Sequence, residues 1–127
     1  MTVGQALERT EQLRPGSRIP SLTLQHWLRE LDGTLRSQVF DRSETDAYDA
    51  QGADRAWEEG LRQEDLLLAP APYDGLYPHY LCARIDGALG EGDRYAGEKA
   101  QYYAILAELR AWMRRTYPPR RSARWRW

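Results

Sequence analysis

His26 and His79 are the only imidazoles in the chain, and Cys82 is its only thiol. His26 sits beside Trp27, and His79 beside Tyr80. Neither histidine is read as having the i,i+4 carboxylate or cysteine partner that a helical metal site needs, so both are expected to be structural or exposed. Cys82 lies one position past Leu81 on an apolar stripe. With no base beside it, it reads as a buried packing residue and not a nucleophile. Glu58-Glu59 and Glu64-Asp65 are paired carboxylates of the kind used in acid–base chemistry. They fall in an irregular acidic stretch, where solvation is the simpler account. Gly87-Ala88-Leu89-Gly90-Glu91-Gly92 is glycine-rich, but no strand precedes it, so it fails as a phosphate cradle. A helix–helix turn is expected there, its glycines supplying positive φ. These residues point to no catalytic, metal or cofactor site, and a non-enzymatic protein is expected.

Charge and aromatic side chains carry more information. Residues 41–65 hold nine acids (Asp41, Glu44, Asp46, Asp49, Asp54, Glu58, Glu59, Glu64 and Asp65) against three arginines, a net charge of −6. From Arg114 onward there are six arginines and no acid, a net charge of +6. Patches of opposite sign on one small chain suit head-to-tail contacts between copies, or contacts with charged partners. Eight Tyr and five Trp accompany one Phe, a bias toward side chains that serve interfaces as well as cores. Trp125 and Trp127 lie among the last arginines, so this stretch reads as an anchor that docks on another molecule. Nucleic-acid binding, through phosphate contacts and stacking, is the second reading of this stretch.

The elements that must position these groups are helical. Thr2 with Gln5 has the form of a capping box, and Val3, Ala6, Leu7, Thr10 and Leu13 or Arg14 give a helical face over residues 3–13. Pro15-Gly16 ends it. A second helix of about 20 residues is expected after Pro20, with Ser21 as N-cap and Leu24, Leu28, Leu31, Leu35 and Val39 as its buried stripe. Residues 41–65 read as a long acidic loop with a helical turn near residues 53–59. Leu66-Leu67-Leu68 follows, and Pro70 and Pro72 are expected to hold the chain extended. A third helix is expected over residues 73–89, its buried face including Leu76, Tyr77, Tyr80, Leu81, Ile85, Ala88 and Leu89. Pro78 means that the regular helix starts near Tyr77 or is kinked there. A fourth runs over residues 93–116 with Tyr102, Leu106, Leu109, Met113 and Tyr117 on one side. No strand pattern or repeat is present. The expected fold is therefore all-α, a small bundle of about four helices over residues 1–118, with helices two and four building the core and a basic Arg/Trp tail over residues 119–127.

A chain of 127 residues suits one domain with its own core. A lone cysteine fits a reducing or indifferent compartment. With no apolar run of about 18 residues and no basic, apolar leader, neither a membrane span nor a secretory signal is expected.

Four stretches together resemble a known family. They are Met1-Thr2-Val3 leading to Leu13-Arg14-Pro15; Trp27-Leu28-Arg29-Glu30-Leu31-Asp32-Gly33; the run from Leu66 through Pro72 to Tyr77; and Ile85-Asp86 followed by Gly90-Glu91 and Arg94-Tyr95. In order and spacing, over residues 1–118 apart from the acidic loop, they are similar to the head–tail connector (head-completion adaptor) proteins of siphophages and prophages of Gram-positive-type hosts. The chain departs from that pattern at Ala96-Gly97, where asparagines are usual, at Pro78, and in the tail after Pro119. The resemblance implies a structural subunit of the virion, assembled in the host cytoplasm. It implies a homo-oligomeric ring, commonly of twelve copies, that docks on the portal protein, receives a downstream head-completion or tail protein, and lets genomic DNA pass without sequence-specific binding. On that reading Arg114, Arg115, Arg120, Arg121, Arg124, Trp125, Arg126 and Trp127 would contact the portal or a neighbour. Asp41, Glu44, Asp46, Asp49, Asp54, Glu58 and Glu59 would face an adjacent subunit or the channel. The rival reading from the residues alone is a small helical nucleic-acid-binding or regulatory partner protein acting through its Arg-rich C-terminus.

Overall fold

A computed structural model of the chain describes residues 1–43 and 62–117. It is an all-α bundle of four helices: α1 (Val3–Leu13), α2 (Ser21–Gln38), α3 (Leu76–Ala88) and α4 (Gly92–Thr116). Single 3-10 turns at Phe40–Arg42 and Tyr73–Gly75 follow α2 and precede α3. Among the described residues there is no strand, and one isolated antiparallel bridge joins Thr2 to Leu66.

The capping box at α1 forms as the sequence predicts. The Thr2 hydroxyl accepts from the Gln5 N–H at 3.2 Å, and the Gln5 side chain accepts from the Thr2 N–H at 2.9 Å. This satisfies two N–H groups near the helix start. Two more find partners outside the helix: Val3 N–H donates to the Asp65 carbonyl at 2.8 Å and Gly4 N–H to the Gln63 carbonyl at 2.9 Å. The last residues of the expected acidic loop are thus backbone partners of α1.

At α2 the capping expectation changes. Pro20 holds the N-cap position and Ser21 is already helical, with no side-chain cap bond. The Pro20 carbonyl accepts from the N–H groups of Thr23 and Leu24, so the helix starts directly from the proline. Leu24, Leu28, Leu31 and Leu35 form the buried stripe, followed by Val39. Burying each such side chain contributes about 1.5–3 kcal/mol.

The central helix is α3, which adds to the expectation of a core built by helices two and four: both stripes are buried, but α3 is the element they share. It packs chiefly on α4, with α1 and α2 on other sides. Its buried residues Leu76, Tyr77, Leu81, Cys82, Ala83, Ile85 and Asp86 cover far more than one stripe. The element is also shorter than expected. Tyr73–Gly75 is a 3-10 turn, and Leu76 opens the regular helix, which places Pro78 in the first turn where its missing N–H costs nothing. Pro72 is not extended (φ −89°, ψ 8°); it follows a cis Ala71–Pro72 bond. Ala88 and Leu89 are exposed because α3 stops there and the chain turns away from the core. Of the three glycines in that turn, only Gly90 has positive φ (+76°). Gly87 serves packing instead: a Cβ there would stand 3.2 Å from the Tyr95 ring.

α4 buries Tyr102, Leu106, Leu109 and Met113, as its spacing predicts. Ile105, Trp112 and Tyr117 pack half-buried at the core edge. Tyr73 meets Trp112 at 5.7 Å between ring centroids, and Trp112 meets Tyr117 edge-on at 5.8 Å. No helix among the described residues is long and apolar enough to cross a membrane.

Candidate functional site

Among the described residues, two polar clusters between helices and two of the surface grooves bring charged and polar side chains together. In the first cluster Asp32, fully buried on α2, accepts from the Leu68 N–H at 3.0 Å and from the Tyr77 hydroxyl at 2.6 Å. The Tyr77 hydroxyl in turn accepts from the Ala69 N–H at 2.7 Å. The segment Leu67-Leu68-Ala69 is buried without a helix or strand of its own. Its N–H groups need acceptors, and a side chain from α2 and one from α3 provide them.

The second cluster joins α1, α3 and α4. Arg14 forms a two-pronged pair with Asp86, Nε to Oδ1 and Nη2 to Oδ2, both at 2.9 Å. Its Nη2 also donates to Glu98 Oε1 at 3.0 Å. Glu98 holds His79 through Oε2 and Nδ1 at 2.6 Å. Hydrogen bonding to Asp86 is the main reason the Arg14 guanidinium is held above its ordinary pKa. Cys82 is buried nearby. Its thiol is pushed up to about 11, chiefly by burial, with Glu98 and Asp86 adding to the effect and Arg14 opposing it. Cysteine, histidine and glutamate meeting in one region suggests nucleophilic chemistry at first sight. A nucleophilic thiol needs a lowered pKa and an open approach, and Cys82 has neither. The cluster ties helices together. Among the described residues, no group of three or more His, Cys, Asp or Glu is placed to hold a metal ion.

His26 corrects the reading that neither histidine has an acidic neighbour one turn away. Its Nε2 lies 2.9 Å from Glu30 Oε1, an i,i+4 pair on the exposed side of α2. The same face leads into the first groove, lined by Trp27, Arg84, Asp86, Gly87, Gly90, Glu91 and Tyr95 among others. There the Arg84 guanidinium lies over the Trp27 ring at 4.8 Å and near the Tyr80 ring at 5.9 Å. Arg84 also approaches Glu30 at 4.0 Å. This is the stacked cation–aromatic arrangement common at protein interfaces.

The second groove lies between the C-terminal ends of α2 and α4. Gln38, Val39, Arg42, Ser43, Arg110, Met113 and Arg114 line it. Val39 and Met113 line its base but are already buried in the core, and Arg42, Arg110 and Arg114 are exposed around it. None of these three arginines makes an ion pair or hydrogen bond among the described residues. Arg114 and Arg115 occupy the last turn of α4, where positive charge also suits the helix dipole. Arg42 and Arg110 lie outside that turn, so the dipole does not account for them.

Of the residues read from sequence as interaction sites, Asp41 lies exposed in the 3-10 turn after α2, and Arg114 and Arg115 lie exposed at the end of α4. Glu44, Asp46, Asp49, Asp54, Glu58 and Glu59 fall outside the described residues, as do Arg120, Arg121, Arg124, Trp125, Arg126 and Trp127. The groove adds Arg42 and Arg110 to Arg114. Arg110 carried a usable signal, since it stands one helical turn before Arg114 on the same face. Arg42 was hidden by the acids around it. Comparison with protein-family models, curated proteins and solved structures gives no match for this chain.

Proposed function

We propose that the chain is a structural head–tail connector subunit of a tailed phage, forming a ring that docks on the portal protein and extends the DNA channel toward the tail. The reading is carried by the four stretches that resemble connector proteins and by the positions they occupy in the fold. Each holds residues that join separate elements. Met1 and Val3 bond to the backbone at Leu67 and Asp65. Asp32, from the Trp27–Gly33 stretch, holds Leu68 and Tyr77. Arg14 grips Asp86, and the Asp86 carbonyl accepts from the Glu91 N–H at 2.8 Å. A shared pattern concentrated on such joints is what a common fold would require. The proposed role is non-catalytic and sited in the virion, with portal, neighbouring subunits and a downstream head-completion or tail protein as partners.

A closed ring needs a head-to-tail interface whose rotation returns to its start. Separate acidic and basic stretches on one chain suit such an interface. Electron microscopy or native mass spectrometry of the chain mixed with its portal protein tests the reading. A closed ring seated on the portal is the expected result. A strict monomer that ignores portal would sink it. If the chain instead binds DNA with an affinity that collapses with salt and depends on residues 120–127, the nucleic-acid-binding reading takes its place.

A further inference from the structure

We propose that the arginine-lined groove between the ends of α2 and α4 holds the phosphate backbone of a nucleic-acid duplex, with Arg42, Arg110 and Arg114 as its contacts. This goes beyond the connector reading and does not depend on it. Two separate elements bring the charges together. Arg110 and Arg114 stand one turn apart on α4, and Arg42 comes from the 3-10 turn after α2. Like charges one turn apart disfavour a helix, and a third brought to the same groove adds to the repulsion. Nothing within the bundle offsets it. None of the three makes an ion pair or hydrogen bond among the described residues, and no carboxylate is among the lining residues. Asp41, next to Arg42 in the chain, is exposed and does not line the groove. Three unpaired guanidinium groups around one concavity of about 420 Å³ make a site for an anion supplied from outside.

The rest of the lining selects the anion. Val39 and Met113 are already buried in the core, and no aromatic side chain is among the lining residues. A protein partner takes most of its affinity from an apolar or aromatic anchor seated in a pocket, and this groove has no place for one. A single strand needs rings on which its bases stack, and the groove has none. A duplex presents its phosphates to such a surface and binds through charge, releasing a counterion for each phosphate neutralised. Guanidinium forks match phosphate oxygens two at a time, and the exposed Gln38 adds an amide donor. The whole chain carries a net charge of −1, so attraction for a duplex depends on a local concentration of positive charge like this one. Contacts to phosphate alone carry no sequence information.

Fluorescence anisotropy of a labelled DNA duplex of about 20 base pairs, titrated with the full chain at several salt concentrations, tests the proposal. Wild type is expected to bind, with log K falling linearly against log salt. Arg42→Gln/Arg110→Gln/Arg114→Gln should lose roughly tenfold or more in affinity at about 50 mM salt, and its salt slope should be shallower by about 2.7, or ~0.9 for each of three phosphates. Arg42→Lys/Arg110→Lys/Arg114→Lys keeps the charge and should keep most of the slope. Arg9→Gln/Arg18→Gln/Arg94→Gln removes the same charge from exposed positions outside the groove and should cost clearly less. Circular dichroism melts check that each variant folds. Should the triple variant melt early, the single variants Arg42→Gln and Arg110→Gln decide, each flattening the slope by about 0.9. A wild type that ignores the duplex, a groove variant that binds like wild type, or equal losses in the groove and control variants overturn the proposal. Polyglutamate that displaces the labelled duplex as well as unlabelled duplex does assigns the groove to an acidic protein surface and overturns it too. So does binding that survives in the groove variant and vanishes in Arg120→Gln/Arg121→Gln/Arg124→Gln/Arg126→Gln. All of these measurements use the free chain without portal. Their failure therefore leaves the connector reading standing, and the absence of a ring on portal leaves this proposal standing.

Discussion

Replacing Tyr77 by Phe tests whether the Asp32–Tyr77 network holds the segment after the acidic stretch in place. The substitution keeps the buried ring and removes one oxygen. That oxygen donates to Asp32 at 2.6 Å and accepts from the Ala69 N–H at 2.7 Å. A hydrogen bond contributes about 0.5–1.5 kcal/mol, and a buried donor left without an acceptor costs about 1–3 kcal/mol. The two effects overlap through one atom, so the expected loss is about 2–3 kcal/mol rather than their full sum. At roughly 3–5 °C per kcal/mol for a domain of this size, the midpoint of thermal unfolding should fall by about 6–15 °C. Urea unfolding of wild type, Tyr77→Phe, Asp32→Asn and the double variant gives the loss and the coupling. The m-value should stay unchanged, because the folded state buries the same surface. The double variant should lose clearly less than the two single losses added together. A Tyr77→Phe loss below about 1 kcal/mol at constant m would refute the reasoning, because a network that short and that buried should not be dispensable.

The other cluster makes a parallel prediction. Arg14→Gln strands Asp86, which is 1% exposed, and should cost about 3 kcal/mol in urea unfolding, while Arg14→Lys recovers only part of that because it cannot form the two-pronged pair. In the turn before α4, Gly90→Ala should destabilise by about 1–2 kcal/mol because of its positive φ, whereas Gly97→Ala, in open space within α4, should stabilise by roughly 0.5–1 kcal/mol. Cys82 titrates at about 11 in the folded chain against an ordinary 9, so its thiolate population at pH 8 is about 100-fold lower and its native reaction with a thiol reagent slower by at least that factor than after denaturation. Because folding raises this pKa, the folded state holds the proton more tightly; that stabilisation is complete below pH 9 and lost as pH rises from 9 to 11. Stability measured over that window should fall less steeply in Cys82→Ala.

The helices were legible because their evidence is local. Thr2 and Gln5 are three residues apart, and the Leu24–Leu35 stripe repeats at helical spacing, so neighbours in sequence reveal the pattern. Asp32 was not legible as a buried residue. It sits next to Leu31 on an amphipathic helix, where a carboxylate ordinarily faces water. What draws it inside is the N–H of Leu68, 36 residues later in a segment without regular structure. The same distance hides the Arg14–Asp86 pair, separated by 72 residues, and the Glu98–His79 pair. Ala88 and Leu89 were misplaced for the opposite reason: they continue an apolar stripe, but α3 ends before the stripe can bury them. His26 and Glu30 lie four residues apart, so that pair is legible in the sequence.

The positions of the polar clusters and of the second groove divide the fold by role. The joints that fix the bundle lie where α1, α2 and α3 meet the segment ending at Ala69, and where α1, α3 and α4 converge on Arg14. The arginine groove lies apart from both, at the C-terminal ends of α2 and α4. Ser43, early in the acidic stretch, lines that groove, and Arg114, four residues before Pro118, lines it too. Two described positions near the charged stretches, Ser43 and Arg114, therefore share one surface. Charge reversals in the groove should have little effect on folding, whereas substitutions at Asp32, Tyr77 or Arg14 should lower stability directly. That separation follows from burial: a change of charge costs little where water can still solvate it and several kcal/mol where it cannot.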